Sequence, residues 1–575
     1  MTRRRPPPTG GTGGFSARTR AEALARFQAD TFDIAIIGGG ITGAGIARDA
    51  AQRGLAVALM EKGDFASGTS SKSSRMIHGG LRYLRQRQVH LVRESLVERG
   101  VLLRLAPHLV HPMPFVLPVY GTSANRRLIL RAGLTAYDLL AGRRRLQRHR
   151  ALSRDTLERT EPSIRGDGLQ GGFRYFDCLV NDARLTLATV RSADRDHAAV
   201  ANHVEATGVL SEGGRVTGIH FTDRLGGVSG TLRAHVVVAA AGPWTDQIRA
   251  LAGAPPMLRP TKGIHVVVER PRLPLSSAVA FFFHDRVLFA VPYGDYSYIG
   301  TTDTDYPGDP GQARTETDDV AYVIEAANSA FTVDLSPDDV LSTWVGVRPL
   351  VYEEGTPSDV GRDYEIKVGP EGFITIAGGK LTTYRAMAED LVNRVLQQEA
   401  SRLGGAKPPC RTASTALPGG DLDRFERYRE ATATALQEAW DLSRPTAYHL
   451  LDTYGTEYLR VLAYALHSPE LLQPLAPDMP VLAAEAVYAV EEEMALTLED
   501  FMARRTDLML FEPQHGLEAA GRAADLMGEA LGWGRRQRRE QVERYRQAVA
   551  GMTAFRTEGE QPASLAGRRT AGAAS

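Results

Sequence analysis

Cysteine is almost missing from this sequence: Cys178 and Cys410 are the two in 575 residues. Two distant thiols exclude both a disulfide framework and a CxxC metal site, so no metal is expected and the compartment reads as a reducing cytoplasm. There is no excess of charge either, with 68 Lys+Arg against 68 Asp+Glu. A protein that wraps nucleic acid carries a basic surplus, so no nucleic-acid partner is expected. Nowhere do roughly 18 apolar residues run together, which argues against a transmembrane helix and leaves only peripheral membrane contact. The arginines of the opening MTRRRPPPTGGTGGFSARTR are followed by Pro, Gly, Ser and Thr instead of an apolar stretch, which argues against a signal peptide. Internal repeats are absent. What remains is ordinary globular composition in a chain too long for one core of ~100–200 residues.

The chemistry begins at Thr31, with TFDIAIIGGGITGAGIARDAAQRGLAVALMEKGD. Asp33–Ile37 reads as a short buried parallel strand, Thr42–Arg53 as an Ala-rich helix and Leu55–Met60 as a second strand. Gly38, Gly40 and Gly43 between them supply G-x-G-x-x-G. The first permits a tight turn, the second lets backbone approach a pyrophosphate, and the third allows close helix–strand packing. The helix N-terminus adds free N–H groups and a partial positive charge. Glu61, 23 residues after Gly38, stands where a carboxylate accepts from ribose hydroxyls and repels a 2′-phosphate. Gly39, Ile41, Thr42 and Lys62 complete the expected contacts with the dinucleotide. FAD is favoured over NAD because one fingerprint near the N-terminus serves a very long chain. Ala234–Trp244 (AHVVVAAAGPW) agrees, reading as a strand that ends in a small-residue turn and returns Gly242 and Trp244 to the cofactor.

Thr69–Leu84 reads TSSKSSRMIHGGLRYL. With GGGITGAGIARDAA, it closely resembles the FAD-dependent (aerobic, respiratory) glycerol-3-phosphate dehydrogenases. Further blocks fit in order: NDARLT (Asn181–Thr186), AAGPW (Ala240–Trp244), TKGIHVV (Thr261–Val267), IGTTDTDY (Ile299–Tyr306), GVRPL (Gly346–Leu350) and AGGKLTTYR (Ala377–Arg385). EEEM and DFMARRT (Glu491–Met494, Asp500–Thr506) look like the helical C-terminal domain of that family. The resemblance spans residues 20–550. It implies oxidation of sn-glycerol 3-phosphate to dihydroxyacetone phosphate by hydride transfer to flavin N5, with electrons passed to membrane quinone. The lack of a long central insertion favours a dehydrogenase over the alternative, an oxidase that uses O2 and makes hydrogen peroxide. A sensor or scaffold that kept the fold without turnover would have no need of a phosphate pocket.

A substrate bearing a phosphate dianion needs cations. Arg82 with Tyr83, Arg348, Arg362 and Lys380 supply them, arginine through two parallel hydrogen bonds and lysine as a compact charge. The proton acceptor is His265 or His78, since an imidazole titrates near neutrality. His265 in KGIHVVV is preferred, with His78 as a flavin-side residue; with Arg348 they form the expected catalytic set. Thr69, Ser70, Ser71, Ser73 and Ser74 put five hydroxyls in six positions, suited to pyrophosphate and flavin, and His78, Gly79 and Gly80 run on along the flavin. Gly378–Gly379 leads through Lys380, Leu381 and Thr382 into a helix-like segment to Leu391, whose N-terminus suits the flavin N1–C2=O edge as it gains negative charge.

The expected fold is α+β: a Rossmann-like FAD-binding domain with a mixed-sheet substrate domain and a C-terminal helical domain. Residues 1–29 read as a disordered tail, 30–403 as the interleaved FAD-binding and substrate domains, and 404–420 as a Pro/Gly-rich linker. Residues 421–550 form the helical domain, which offers a partner or homodimer surface, and 551–575 read as a second disordered tail. Asn125–Arg150 carries eight arginines and one acid, Asp138, between apolar residues. Such a basic amphipathic segment suits an anionic lipid surface, although an exposed helix packed on the FAD domain gives the same pattern. The expected location is cytoplasmic, peripheral on the inner face of the membrane.

Overall fold

The computed structural model describes residues 14–85, 87–121, 124–284, 286–352 and 363–558. Strand Thr31–Ile37 lies inside an eight-stranded sheet, paired in parallel with Val57–Met60 on one side and Ser229–Ala239 on the other. Ala199–Ala201 and Phe373–Gly378 extend the parallel run, and Tyr364–Val368 closes one edge antiparallel. Such strands are covered on both faces, which explains the unbroken apolar runs IAII and VVVA. On one face Ile34, Ile36, Val236 and Val238 pack with Ala44, Ala47, Leu391 and Val392 of helices Ile41–Gln52 and Tyr384–Gln398.

A second, ten-stranded sheet is mostly antiparallel. Its strand Leu258–Glu269 pairs with Val340–Val351, bringing Gly263 opposite Gly346 and His265 opposite Trp344. The same strand pairs with Tyr296–Gly300, with His265 opposite Gly300. The helical domain runs from Phe425 around its own apolar core, which includes Leu450, Tyr488, Phe501 and Met527. Buried ion pairs join it to the rest: both Arg184 Nη atoms donate to Glu493 at 2.6 Å, and Arg505 donates to both oxygens of Asp64 at 2.6 and 2.9 Å.

Both tails expected to be disordered are partly ordered. Ala17–Ala29 is a helix, because its apolar side has partners: Phe27 meets Phe32 and Phe221 edge-on at 6.1 and 5.8 Å, and buried Arg20 pairs with Asp223. At the other end helix Arg535–Thr553 is followed by Phe555–Glu558. Phe555 is buried, and Thr317 and Thr343 donate to the carbonyls of Phe555 and Met552.

His108 is buried against Gly419, in the segment that leads into the helical domain, and Gly455 within that domain. Burial, with Arg184 and His111 adding, pushes its pKa from 6.5 down to about 3. The unfolded chain therefore takes up a proton below pH 6.5 that the native state refuses, and stability falls as pH drops from there towards 3, by on the order of 5 kcal/mol over the full window. In urea titrations His108→Asn should lose stability less steeply than the parent between pH 6.5 and 5; equal slopes would contradict this.

Candidate active site

A cavity of about 650 Å³ runs from the glycine turn after Thr31–Ile37 to the facing strands of the second sheet. Gly38 has φ +115°, and a Cβ there would lie 2.4 Å from the Ala240 carbonyl oxygen. A Cβ on Gly43 would come within 1.9 Å of the Gly38 carbonyl oxygen, so helix and turn touch backbone to backbone. Gly43→Ala must push the turn off its path, because a backbone neighbour cannot rotate away. We expect it to be purified with markedly less FAD per chain and to lose about 1–3 kcal/mol of stability; full FAD content would contradict this.

Further along, Gly40, Ile41 and Thr42 line the cavity at the helix N-terminus. The Glu61 carboxylate there accepts from Gly39 N–H at 2.7 Å and Gly63 N–H at 2.8 Å, while burial pushes its pKa up. Lys62 lies over the Trp244 ring at 3.9 Å, with Gly242 beside it in the lining.

Opposite, His265 lies in the wall with its imidazole stacked on Trp344 at 4.6 Å and its Nε2 2.8 Å from Ser74 Oγ. Burial, followed by the charges of Arg348 and Arg75, holds its pKa well below the ordinary histidine value. The ring is neutral at physiological pH. A Cβ on Gly300 would sit 2.2 Å from its Cδ2, so glycine makes room for it. Gly263 does the same for Arg348, whose Nη2 would be 2.3 Å from a Cβ there. Arg348 donates to Asp303 Oδ1 and Thr301 Oγ1, both at 2.9 Å. Lys380 Nζ lies over the Tyr83 ring at 3.9 Å, and the His78 backbone exchanges hydrogen bonds with Thr382 Oγ1. Gly80, Gly379 and Leu381 complete this end.

The match to known proteins follows this geometry. Residues 33–389 match the family model described as FAD dependent oxidoreductase, and residues 410–538 that described as the C-terminal domain of alpha-glycerophosphate oxidase. The chain is 39% identical over 518 residues to a glycerol-3-phosphate dehydrogenase of Mycobacterium leprae, covering 89% of this chain and 87% of that one. It belongs to the FAD-dependent glycerol-3-phosphate dehydrogenase family. Another relative, the aerobic glycerol-3-phosphate dehydrogenase of Staphylococcus haemolyticus, is 37% identical over 508 residues, covering 86% of this chain and 90% of that one. The crystal structure of the glycerol-3-phosphate dehydrogenase from Bacillus halodurans complexed with FAD superposes with TM-score 0.78 at 31% identity, covering 94% of this chain and 99% of that one.

The residues fit the cofactor of this family: two crowded glycines shape the turn, the N-terminus of a 12-residue helix opens on the cavity, and Glu61 stands beside it. Not every residue expected at the cofactor reaches the cavity. Gly39, Gly43, Ser71 and Gly79 are not in the lining. The first two shape the turn from behind, while Gly79 N–H donates to Tyr137 Oη at 2.8 Å over a buried Tyr137–Asp177–Arg99 cluster. Of the five hydroxyls of Thr69–Ser74, that of Ser70 reaches the fingerprint helix, accepting from Ile41 N–H at 2.9 Å. Thr69 donates to the Val347 carbonyl, Ser73 to Asp182, and Ser74 meets His265. The backbone of Arg82 lies in the short helix Arg82–Arg85, and Arg362 lies outside the described residues. Sequence reasoning missed Lys72, which lines the cavity and whose pKa burial lowers, and Trp344 beneath His265.

Proposed function

We propose that this protein oxidises sn-glycerol 3-phosphate to dihydroxyacetone phosphate and delivers the electrons to membrane quinone. The observation that carries the reading is a buried His265 beside Arg348 in a cavity that continues to a dinucleotide-shaped glycine turn. FAD bound along that cavity supplies the two-electron acceptor for the hydrogen on the alcohol carbon. Arg348, fixed by Asp303 and Thr301, and Lys380 attract the phosphate dianion. His265 accepts the hydroxyl proton, and Phe115, Leu117 and Phe289 add an apolar wall to the same cavity. The name of the Staphylococcus haemolyticus relative, an aerobic dehydrogenase, supports a respiratory acceptor. The match of residues 410–538 to an oxidase domain model supports O2 instead. With glycerol 3-phosphate as donor, turnover should be fast with a soluble quinone analogue and yield little peroxide in air. Stoichiometric peroxide at an equal rate would establish the oxidase.

Delivery to quinone requires membrane contact, and among the described residues no helix is long and apolar enough to cross a bilayer. Helix Ala124–Ala141 suits a peripheral one. It buries Leu134, Tyr137 and Ala141 against the protein, while Leu128, Ile129 and Leu139 are 66%, 70% and 72% exposed. Arg127, Arg131, Arg143 and Arg144 are exposed around them. Each basic residue near an anionic surface contributes ~1 kcal/mol. Replacing Arg143, Arg144 and Arg145 by Glu should release the protein from anionic liposomes in flotation assays, by on the order of a hundredfold in partitioning. Unchanged binding would sink this part of the proposal.

A further inference from the structure

Strand pairing sets His265 between two unlike neighbours, Gly300 on one side and Trp344 on the other. Residues directly opposed on adjacent antiparallel strands project from the same face of the sheet, so indole and imidazole share one side. Their ring centroids are 4.6 Å apart and their planes only 11° from parallel. The indole is itself held in place. Its Nε1–H, which can only donate, reaches the Ser73 carbonyl at 3.0 Å, and the Tyr298 ring meets it edge-on at 5.3 Å. Ser73 is pinned in turn, because its N–H and its hydroxyl both donate to Asp182, at 3.0 and 2.7 Å.

A base that accepts the hydroxyl proton is a cation for as long as it holds it, and His265 would form that cation in an unfavourable place. The residue is 2% exposed, and the charges of Arg348 and Arg75 oppose a third positive group. A histidine base is commonly backed by a carboxylate that stabilises the imidazolium. Among the described residues no carboxylate is paired with this ring: Nε2 meets Ser74 Oγ, and Nδ1 has no hydrogen-bond partner. What lies against its plane is the face of Trp344. An aromatic face is negative and attracts a cation within about 6 Å, most strongly for tryptophan and where water is excluded.

We infer that Trp344 is a positioning residue for His265, fixing the plane of the imidazole and offering its π face to the imidazolium that forms there. The indole takes the part that a carboxylate plays elsewhere, without adding a buried negative charge beside a substrate that is itself an anion. This inference rests on the reading of His265 as the base.

The test is a set of holoenzyme variants read as the rate of anaerobic flavin bleaching by glycerol 3-phosphate. Trp344→Leu, which keeps the site apolar but removes the π face, should bleach about tenfold more slowly, with substrate affinity changed by less than about threefold. Trp344→Phe keeps a face and loses the hydrogen bond to Ser73, and should stay within about threefold of the parent. In the His265→Asn background Trp344→Leu should cost less than about twofold more, because its effect passes through the imidazole. A Phe variant as slow as the Leu variant, an unchanged rate in Trp344→Leu, or the full tenfold loss in the His265→Asn background would overturn the inference. Should Trp344→Leu not accumulate folded with FAD bound, Trp344→Met takes its place with the same expectation. A second readout does not need turnover. In holoenzyme with 13C-labelled histidine rings, assigned by loss of the signal in His265→Asn, the His265 ring protons should be shifted upfield by the indole ring current. They should return to the ordinary histidine range in Trp344→Leu. An unshifted signal in the parent overturns the inference even if the flavin is bleached normally. If the parent is not bleached by glycerol 3-phosphate, the functional reading fails while the spectra still judge the stack.

Discussion

His265→Asn should slow reduction of the bound flavin by glycerol 3-phosphate by roughly 10²–10⁴-fold, the span of a lost general base. Asparagine retains a polar group of similar reach and can still meet Ser74, so the fold and the FAD content should survive. What it lacks is a basic nitrogen. The rate constant for flavin bleaching should collapse while the concentration dependence, which the proposed phosphate contacts of Arg348 and Lys380 set, moves little. The pH profile carries the same signature. Burial and the charges of Arg348 and Arg75 lower the pKa of this imidazole, and a base works only when unprotonated. As pH falls through 6.5, the ordinary value for a free histidine, the parent should therefore keep its rate. A parent that loses its rate with a midpoint near 6.5, or a variant within a few-fold of the parent, would remove His265 from the chemistry.

Arg505→Met should be the most damaging single change to stability, by about 3–5 kcal/mol, because it strips a partner from a buried carboxylate. Arg505 makes two hydrogen bonds to Asp64 and two more to the Glu493 carbonyl, at 3.1 and 2.8 Å. Burial alone would raise the Asp64 pKa; Arg505 and Arg504 outweigh it and hold the group ionised, below the usual carboxylate range. Asp64, His203 and Asp500 also converge within metal-ligand reach, but the two arginines already neutralise that corner. Asp64 belongs to the loop that carries Glu61 and Lys62, so the variant should also hold FAD more weakly. Asp64→Asn in the Arg505→Met background should recover part of the loss, since Arg504 alone is then left beside two buried acids, Asp64 and Asp500. Urea denaturation of the parent and the two variants checks the order. A single variant as stable as the parent would show that the helical domain is held by other contacts.

The resemblance was legible because the family's signals are local in sequence. Gly38, Gly40, Gly43 and Glu61 lie within 24 residues and act on one another's backbone. His265, Arg348 and Lys380 stand in short apolar or glycine-rich blocks that read as pocket walls, and strand pairing brings the first two together. What escaped was long-range. Asp507 meets Arg75 across 432 positions and Arg505 meets Asp64 across 441, and nothing around either acid in sequence announces a buried partner. The Thr69–Ser74 hydroxyls misled for a related reason. Composition counts donors, whereas the fold turns three of them onto Val347, Asp182 and His265. Helix Ala17–Ala29 was hidden by the Pro- and Gly-rich residues before it, although Ala23 and Phe27 already sit on one side of a helix.

The central claim is that this cavity oxidises a phosphorylated secondary alcohol. The measurement that tests it most directly is anaerobic rapid mixing of the FAD-loaded protein with glycerol 3-phosphate, and separately with glycerol, while the visible absorbance of the flavin is followed. The account predicts fast bleaching by glycerol 3-phosphate and none on that timescale by glycerol, because Arg348 and Lys380 recognise the phosphate. No bleaching by either, or equal bleaching by both, would contradict it.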